Sequence, residues 1–153
     1  MKGWNRNRID VISGLKNKND KEAYELLLEL EKIAATSDVL YKYFEDFAEL
    51  TCDENSFVRT RGFRLVCALV KWDTENKFAK NIDSLLSILD DKKPIVVRQC
   101  LEALHIVVLD KPELIDAIRQ KLKKLDLSKY KDNMVPLIER DIAELINVIS
   151  GQN

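Results

Sequence analysis

A segment of this chain is repeated. Val58-Arg59 recurs as Val97-Arg98, 39 residues on (58 to 97). An acidic turn precedes each copy: Thr51-Cys52-Asp53-Glu54 before the first, Asp90-Asp91-Lys92-Lys93 before the second. An apolar helical run follows each, ending near Trp72 and near Leu109. A period of this size means stacked supersecondary units, each too small to bury its apolar face alone. The stretch from Asn55 to Trp72 therefore constrains the rest of the chain.

The remainder reads as helix throughout. With only 4 Gly and 3 Pro in 153 residues, tight turns are too few for an all-β fold. Trp4, Ile9, Val11, Ile12 and Leu15 fall on one side of a first helix. The spacing of Ala23, Leu26, Leu27, Leu30, Ile33 and Ala34 predicts a strongly amphipathic helix over 20–35, with Asp20 as its cap. Val39, Leu40, Tyr43, Phe44, Phe47 and Leu50 form the next, opened by Thr36-Ser37-Asp38. After the helix at 55–72, Asp73-Thr74 caps a single helix burying Phe78, Ile82, Leu85, Leu86 and Leu89. The helix at 95–109 follows, with Pro94 in its first turn. Leu114, Ile115, Ile118, Leu122 and Leu125 define another. A loop over 127–133 leads to a last helix with Val135, Ile138, Ile142, Leu145 and Ile149 inward. The expectation is an all-α domain of eight helices in four antiparallel pairs, over 4–35, 38–72, 74–110 and 112–150. The helices at 55–72 and 95–109 are apolar over most of their circumference and should be interior; the glutamate-rich helix at 20–35 suits an end.

These residues carry a family likeness. Asp53…Val58-Arg59…Leu65…Leu69 and Asp91…Pro94…Val97-Arg98…Ala103-Leu104…Val108 resemble HEAT repeats, specifically over 38–110. The likeness is weaker at the ends, where 20–35 has no Val-Arg and Leu137 stands where arginine is expected. It implies a right-handed α-solenoid whose second helices line a concave side that holds another macromolecule. Some HEAT-like proteins act on alkylated DNA, but this chain has no residue matching their base recognition.

Charge alternates along the chain. Residues 21–56 carry three basic and ten acidic groups, and residues 57–82 six basic and two acidic. A nucleic-acid binder usually shows one dominant basic face. On a helical wheel Arg59 falls among Val66, Gly62, Phe63 and Val70, and Arg98 beside Leu101 and Leu109. Such arginines need carboxylates, and Asp53 and Asp91, or the turn of the adjacent repeat, are the obvious partners. The expectation is that Asp53, Val58, Arg59, Asp91, Val97 and Arg98 tie repeats together.

Arg61, Arg64 and Lys71 lie on the opposite stripe, with Lys77 and Lys80 soon after. Together they could hold a phosphate or an acidic partner surface, with Trp72 as an apolar anchor. The plainer alternatives are a solvated face, or pairing with the glutamates of 22–31 and 45–49. Arg98, Glu102 and His105 share a face at i, i+4 and i+7, and Cys100 points away from them. No nucleophile stands beside the one histidine, so no enzyme is expected. No zinc framework, phosphate loop or other cofactor site is expected either; Gly62 reads as a close helix approach. The Lys129-Tyr130-Lys131 loop should be solvated.

No run approaches the ~18 apolar residues of a membrane span, and the N-terminus leads into no apolar signal core. Cys52, Cys67 and Cys100 show no CxxC spacing, which suits a reducing, cytoplasmic setting. The function expected is a protein–protein scaffold or adaptor using the concave surface. Nucleic-acid or phosphate binding through 57–82 is the alternative. A homodimer through exposed solenoid ends is a further possibility.

Overall fold

The computed structural model describes residues 6–151; the expected position of Trp4 on the first helix lies outside them. All regular structure among the described residues is helical. The α-helices are α1 (Arg8–Leu15), α2 (Asp20–Thr36), α3 (Phe44–Leu50), α4 (Ser56–Ala68), α5 (Lys77–Lys80), α6 (Ile82–Leu86), α7 (Pro94–Asp110), α8 (Ile115–Lys123) and α9 (Val135–Ser150). Short 3-10 turns cover Tyr41–Tyr43, Val70–Trp72, Ser87–Asp90 and Pro112–Leu114.

Among the described residues the eight expected helices become nine, because the segment after Trp72 is broken. The buried Asp73 carboxylate accepts from the backbone N–H groups of Lys77 and Phe78, both at 2.8 Å. That starts α5 behind Asn76, which adopts the left-handed conformation at φ 56° that asparagine tolerates better than most residues. Asn81 then turns its amide back onto the Lys77 carbonyl at 2.8 Å, satisfying it outside any longer helical ladder. The cap of α2 is also one residue earlier than expected. Asn19, not Asp20, accepts from the Glu22 N–H at 3.1 Å, which leaves the Asp20 carboxylate free for another role. Asn55 starts α4 by accepting from Phe57 and Val58.

The long helices form a row in which α2 packs on α4, α4 on α7 and α7 on α9. Shorter elements back the row: α1 against α2, α3 against α4, the Ser87–Asp90 turn against α7, and α8 against α9. The inward set of α2 is the one its periodicity predicts, Ala23, Leu26, Leu27, Leu30, Ile33 and Ala34 all being buried. Phe44, Phe47, Phe63 and Phe78 are fully enclosed in one continuous apolar cluster. Helix α4 buries Val58, Thr60, Arg61, Gly62, Phe63, Leu65, Val66 and Cys67, so nearly its whole circumference is covered. The loop before α9 differs from its expected solvation. Tyr130 is buried, with its hydroxyl donating to the Asp91 carbonyl, and Lys129 Nζ donates to the Asp90 carbonyl at 2.5 Å.

Gly62 sets the distance between α3 and α4. A Cβ there would sit 2.7 Å from both the Phe47 carbonyl oxygen and Leu50 Cβ, and 3.1 Å from the Thr51 nitrogen. Two of these three are backbone atoms that cannot turn aside. Gly62→Ala is therefore expected to destabilise the fold by about 1–3 kcal/mol, despite alanine's higher helix propensity. Urea unfolding measures this, and a stabilised variant would show that the two helices can separate freely.

Candidate functional site

Of the cations of 57–82, Arg59, Arg61, Arg64, Lys71 and Lys77 are engaged with internal acceptors, and Lys80 is exposed. Helices end with unpaired carbonyls that must find donors, and α4 and the Val70–Trp72 turn after it supply several. Arg61 is only 5% exposed. It donates to the Leu15 carbonyl at the end of α1 (2.9 Å) and to the Asp20 carboxylate (3.1 Å). Lys71 Nζ and Trp72 Nε1 donate to the Ala35 and Ala34 carbonyls, both at 2.7 Å. These close the end of α2, which has no basic residue in its own last turn.

Arg64 forms a fork with Glu31, Nε to Oε2 at 2.9 Å and Nη2 to Oε1 at 2.8 Å. Burial lowers its pKa, but the Glu31 hydrogen bond and charge outweigh that and hold it above the ordinary value. Lys77 meets Glu45 at 2.6 Å and lies 4.6 Å from the Tyr41 ring centre. The hydrogen bond to Glu45 raises its pKa.

Arg59 donates to Asp91 at 2.8 and 3.1 Å, and to the Asp53 and Glu54 carbonyls at 3.0 Å each. Asp53 contributes its carbonyl here, while its carboxylate accepts from the Asn55 N–H. Arg98 reaches across to Asp141 on α9, Nε to Oδ2 at 2.6 Å, and forms no i+4 pair with Glu102. Its pKa is raised by that hydrogen bond. Val58 and Val97 are buried where their helices begin. Glu102 lies 3.9 Å from His105. Cys100 is buried, and desolvation pushes its thiol and that of Cys67 well up.

The open surface is a groove that Arg61 and Arg64 border but that wheel reasoning about charge does not outline. Two hollows of about 490 and 550 Å³ adjoin between α2, α4 and α7, sharing Tyr24, Arg64 and Gln99. Ala35, Ala68 and Ala103 line the first. A third, lined by Ile95, Arg98, Gln99, Glu102 and Asp141, continues it towards α9. Tyr24, Phe57, Ile95 and Ile106 are exposed around the hollows. On α7 the groove stripe is Ile95, Gln99, Glu102 and Ile106, at i, i+4, i+7 and i+11. The sequence holds only part of that signal: Gln99 and Glu102 interrupt the apolar run of α7 on this face, whereas Ile95 and Ile106 read as a continuation of it.

Among the described residues no group of three His, Cys, Asp or Glu is placed to hold a metal. No described helix is long and apolar enough to cross a membrane. The arrangement offers apolar contact, one amide and ionic groups that are mostly paired already.

Arg61→Ala is expected to lower the unfolding free energy by about 2 kcal/mol, because it leaves the Leu15 carbonyl without its donor. An effect within about 0.5 kcal/mol, ordinary for an exposed surface change, would contradict the structural role.

The chain matches no protein-family model, no curated protein and no solved structure.

Proposed function

We propose that this chain is a non-catalytic binding module, a HEAT-like right-handed α-solenoid that holds a partner protein. In this reading α2, α4, α7 and α9 are the second helices of four antiparallel pairs, and they line the concave side. The contacts of α2 with α4, α4 with α7 and α7 with α9 support the stacking. The Arg59–Asp91 and Arg98–Asp141 bridges, each between neighbouring units, support the role of repeat ties.

One observation carries the functional reading. Exposed Tyr24, Phe57, Ile95 and Ile106 surround adjoining hollows whose arginines already face internal carboxylates. Clustered apolar surface in a recess is what a protein partner covers, and aromatic residues are enriched at such interfaces. A polyanion instead draws its affinity from cations free to replace counterions. Arg59, Arg61, Arg64 and Lys77 are each paired with a carboxylate, which favours the protein partner over nucleic acid. A reducing, cytoplasmic location suits the unpaired cysteines.

Ala103→Arg tests this by placing a long cation in the groove. A partner that wild type retains from cell extract, and that survives nuclease, should be lost from the variant at unchanged melting temperature. Retention of the same partner by the folded variant, or its loss from wild type on nuclease treatment, would overturn the reading.

A further inference from the structure

The groove has a polar centre as well as apolar walls. Gln99 is exposed and lines all three hollows. Among the described residues its side-chain amide makes no hydrogen bond to protein, although it carries two donors and an acceptor. A helical ligand has already paired its backbone groups internally. An extended segment has not, and each buried N–H and C=O it brings must be met. A primary amide can meet one of each. Ala35, Ala68 and Ala103, with the smallest side chains after glycine, leave room for a backbone to approach.

Charge orders the ends. Arg61 is paired with Asp20, Arg64 with Glu31 and Arg98 with Asp141, so the middle is neutralised internally. Lys93 lines the groove where α7 begins, and its ammonium has no acceptor among the described residues. Glu102, with its side chain 79% exposed, lies further along the same helix at 3.9 Å from His105. The nine steps from Lys93 to Glu102 rise roughly 13–14 Å along a helix. Extended chain at roughly 3.3 Å per residue covers that in about four residues.

Resting on the protein-binding reading above, we infer that the groove between α2, α4 and α7 takes an extended peptide segment of a partner, five or so residues long. Its acidic end lies over Lys93, its basic end over Glu102, apolar side chains contact Tyr24, Phe57, Ile95 and Ile106, and one backbone amide pairs with Gln99. This defines a class of ligand: short, unfolded, amphoteric and apolar in the middle.

Two displayed hexapeptide libraries test it on the full chain, one with aspartate first and lysine last, the other reversed, both random between. One orientation should be enriched, with apolar residues inside. Lys93→Glu/Glu102→Lys should transfer the enrichment to the other library. For the best peptide, Gln99→Leu or N-methylation of one interior backbone amide should weaken binding at least tenfold. Equal enrichment of both libraries, no exchange on charge reversal, or indifference to Gln99→Leu would each overturn the inference. A third library of helix-stapled amphipathic peptides separates the two levels. If it alone is enriched, and Ala103→Arg abolishes that enrichment, the extended segment is wrong and the groove still binds protein. If no library is enriched and Ala103→Arg spares the cellular partner, both readings fall.

Discussion

Arg59 is the point at which the turn after α3 and the turn before α7 are fastened together. Its guanidinium and the Asp91 carboxylate are mostly enclosed, with side chains 15% and 7% exposed. Four of its donor contacts are satisfied: two by Asp91 and two by the carbonyls of the turn after α3. Asp91 also has other partners. Its Oδ1 accepts from the Lys93 N–H at 2.9 Å where α7 starts, and its carbonyl takes the Tyr130 hydroxyl from the loop before α9. Three turns, belonging to three parts of the chain, thus meet at one ion pair. Replacing such a pair by apolar groups can be neutral, but leaving half of it behind costs several kcal/mol. The pair therefore fixes how the row of helices is registered, rather than adding much to its net stability.

The same principle explains where the other cations go. Every helix end presents carbonyls without donors, and several here are closed by side chains from elsewhere in the chain. Arg61 does this for α1, and Lys71 with Trp72 for α2. Lys111 donates to the Asp73 carbonyl at 2.8 Å and Lys129 to that of Asp90. The alternation of acidic and basic segments along the sequence is thus largely spent inside the molecule. What remains open is a recess with apolar walls, little unpaired charge and a single exposed amide.

Helical periodicity revealed the elements that bury one clean face, α2 above all, and the recurring acidic turn with Val-Arg pointed to Asp91 as a partner for Arg59. The 74–90 segment misled because its apolar positions keep helical spacing across a break at Asn81, whose local hydrogen bond to the Lys77 carbonyl no periodicity registers. Arg61 misled for another reason. Its wheel position marks it as opposite the apolar stripe of α4, but α1 and α2 cover that side as well, so an arginine there is buried. A wheel shows which residues share a face; it does not show that a neighbour's carbonyl end arrives on it. Tyr130, flanked by lysines, was hidden in the same way, since its partner is a backbone carbonyl 39 residues earlier. The groove was the least visible, because Tyr24, Phe57 and Gln99 come from three helices and are joined only by packing.

A double-mutant cycle on Arg59 and Asp91 addresses the fastening most directly, using Arg59→Met, Asp91→Leu and the pair together in urea unfolding. Each single change should cost about 3 kcal/mol or more, by leaving a charge enclosed without its partner. The double variant should fall well short of the sum, with a coupling above about 1.5 kcal/mol. Single costs that add to within about 0.5 kcal/mol would mean the two side chains act independently, and that the helices are held in register by apolar packing alone.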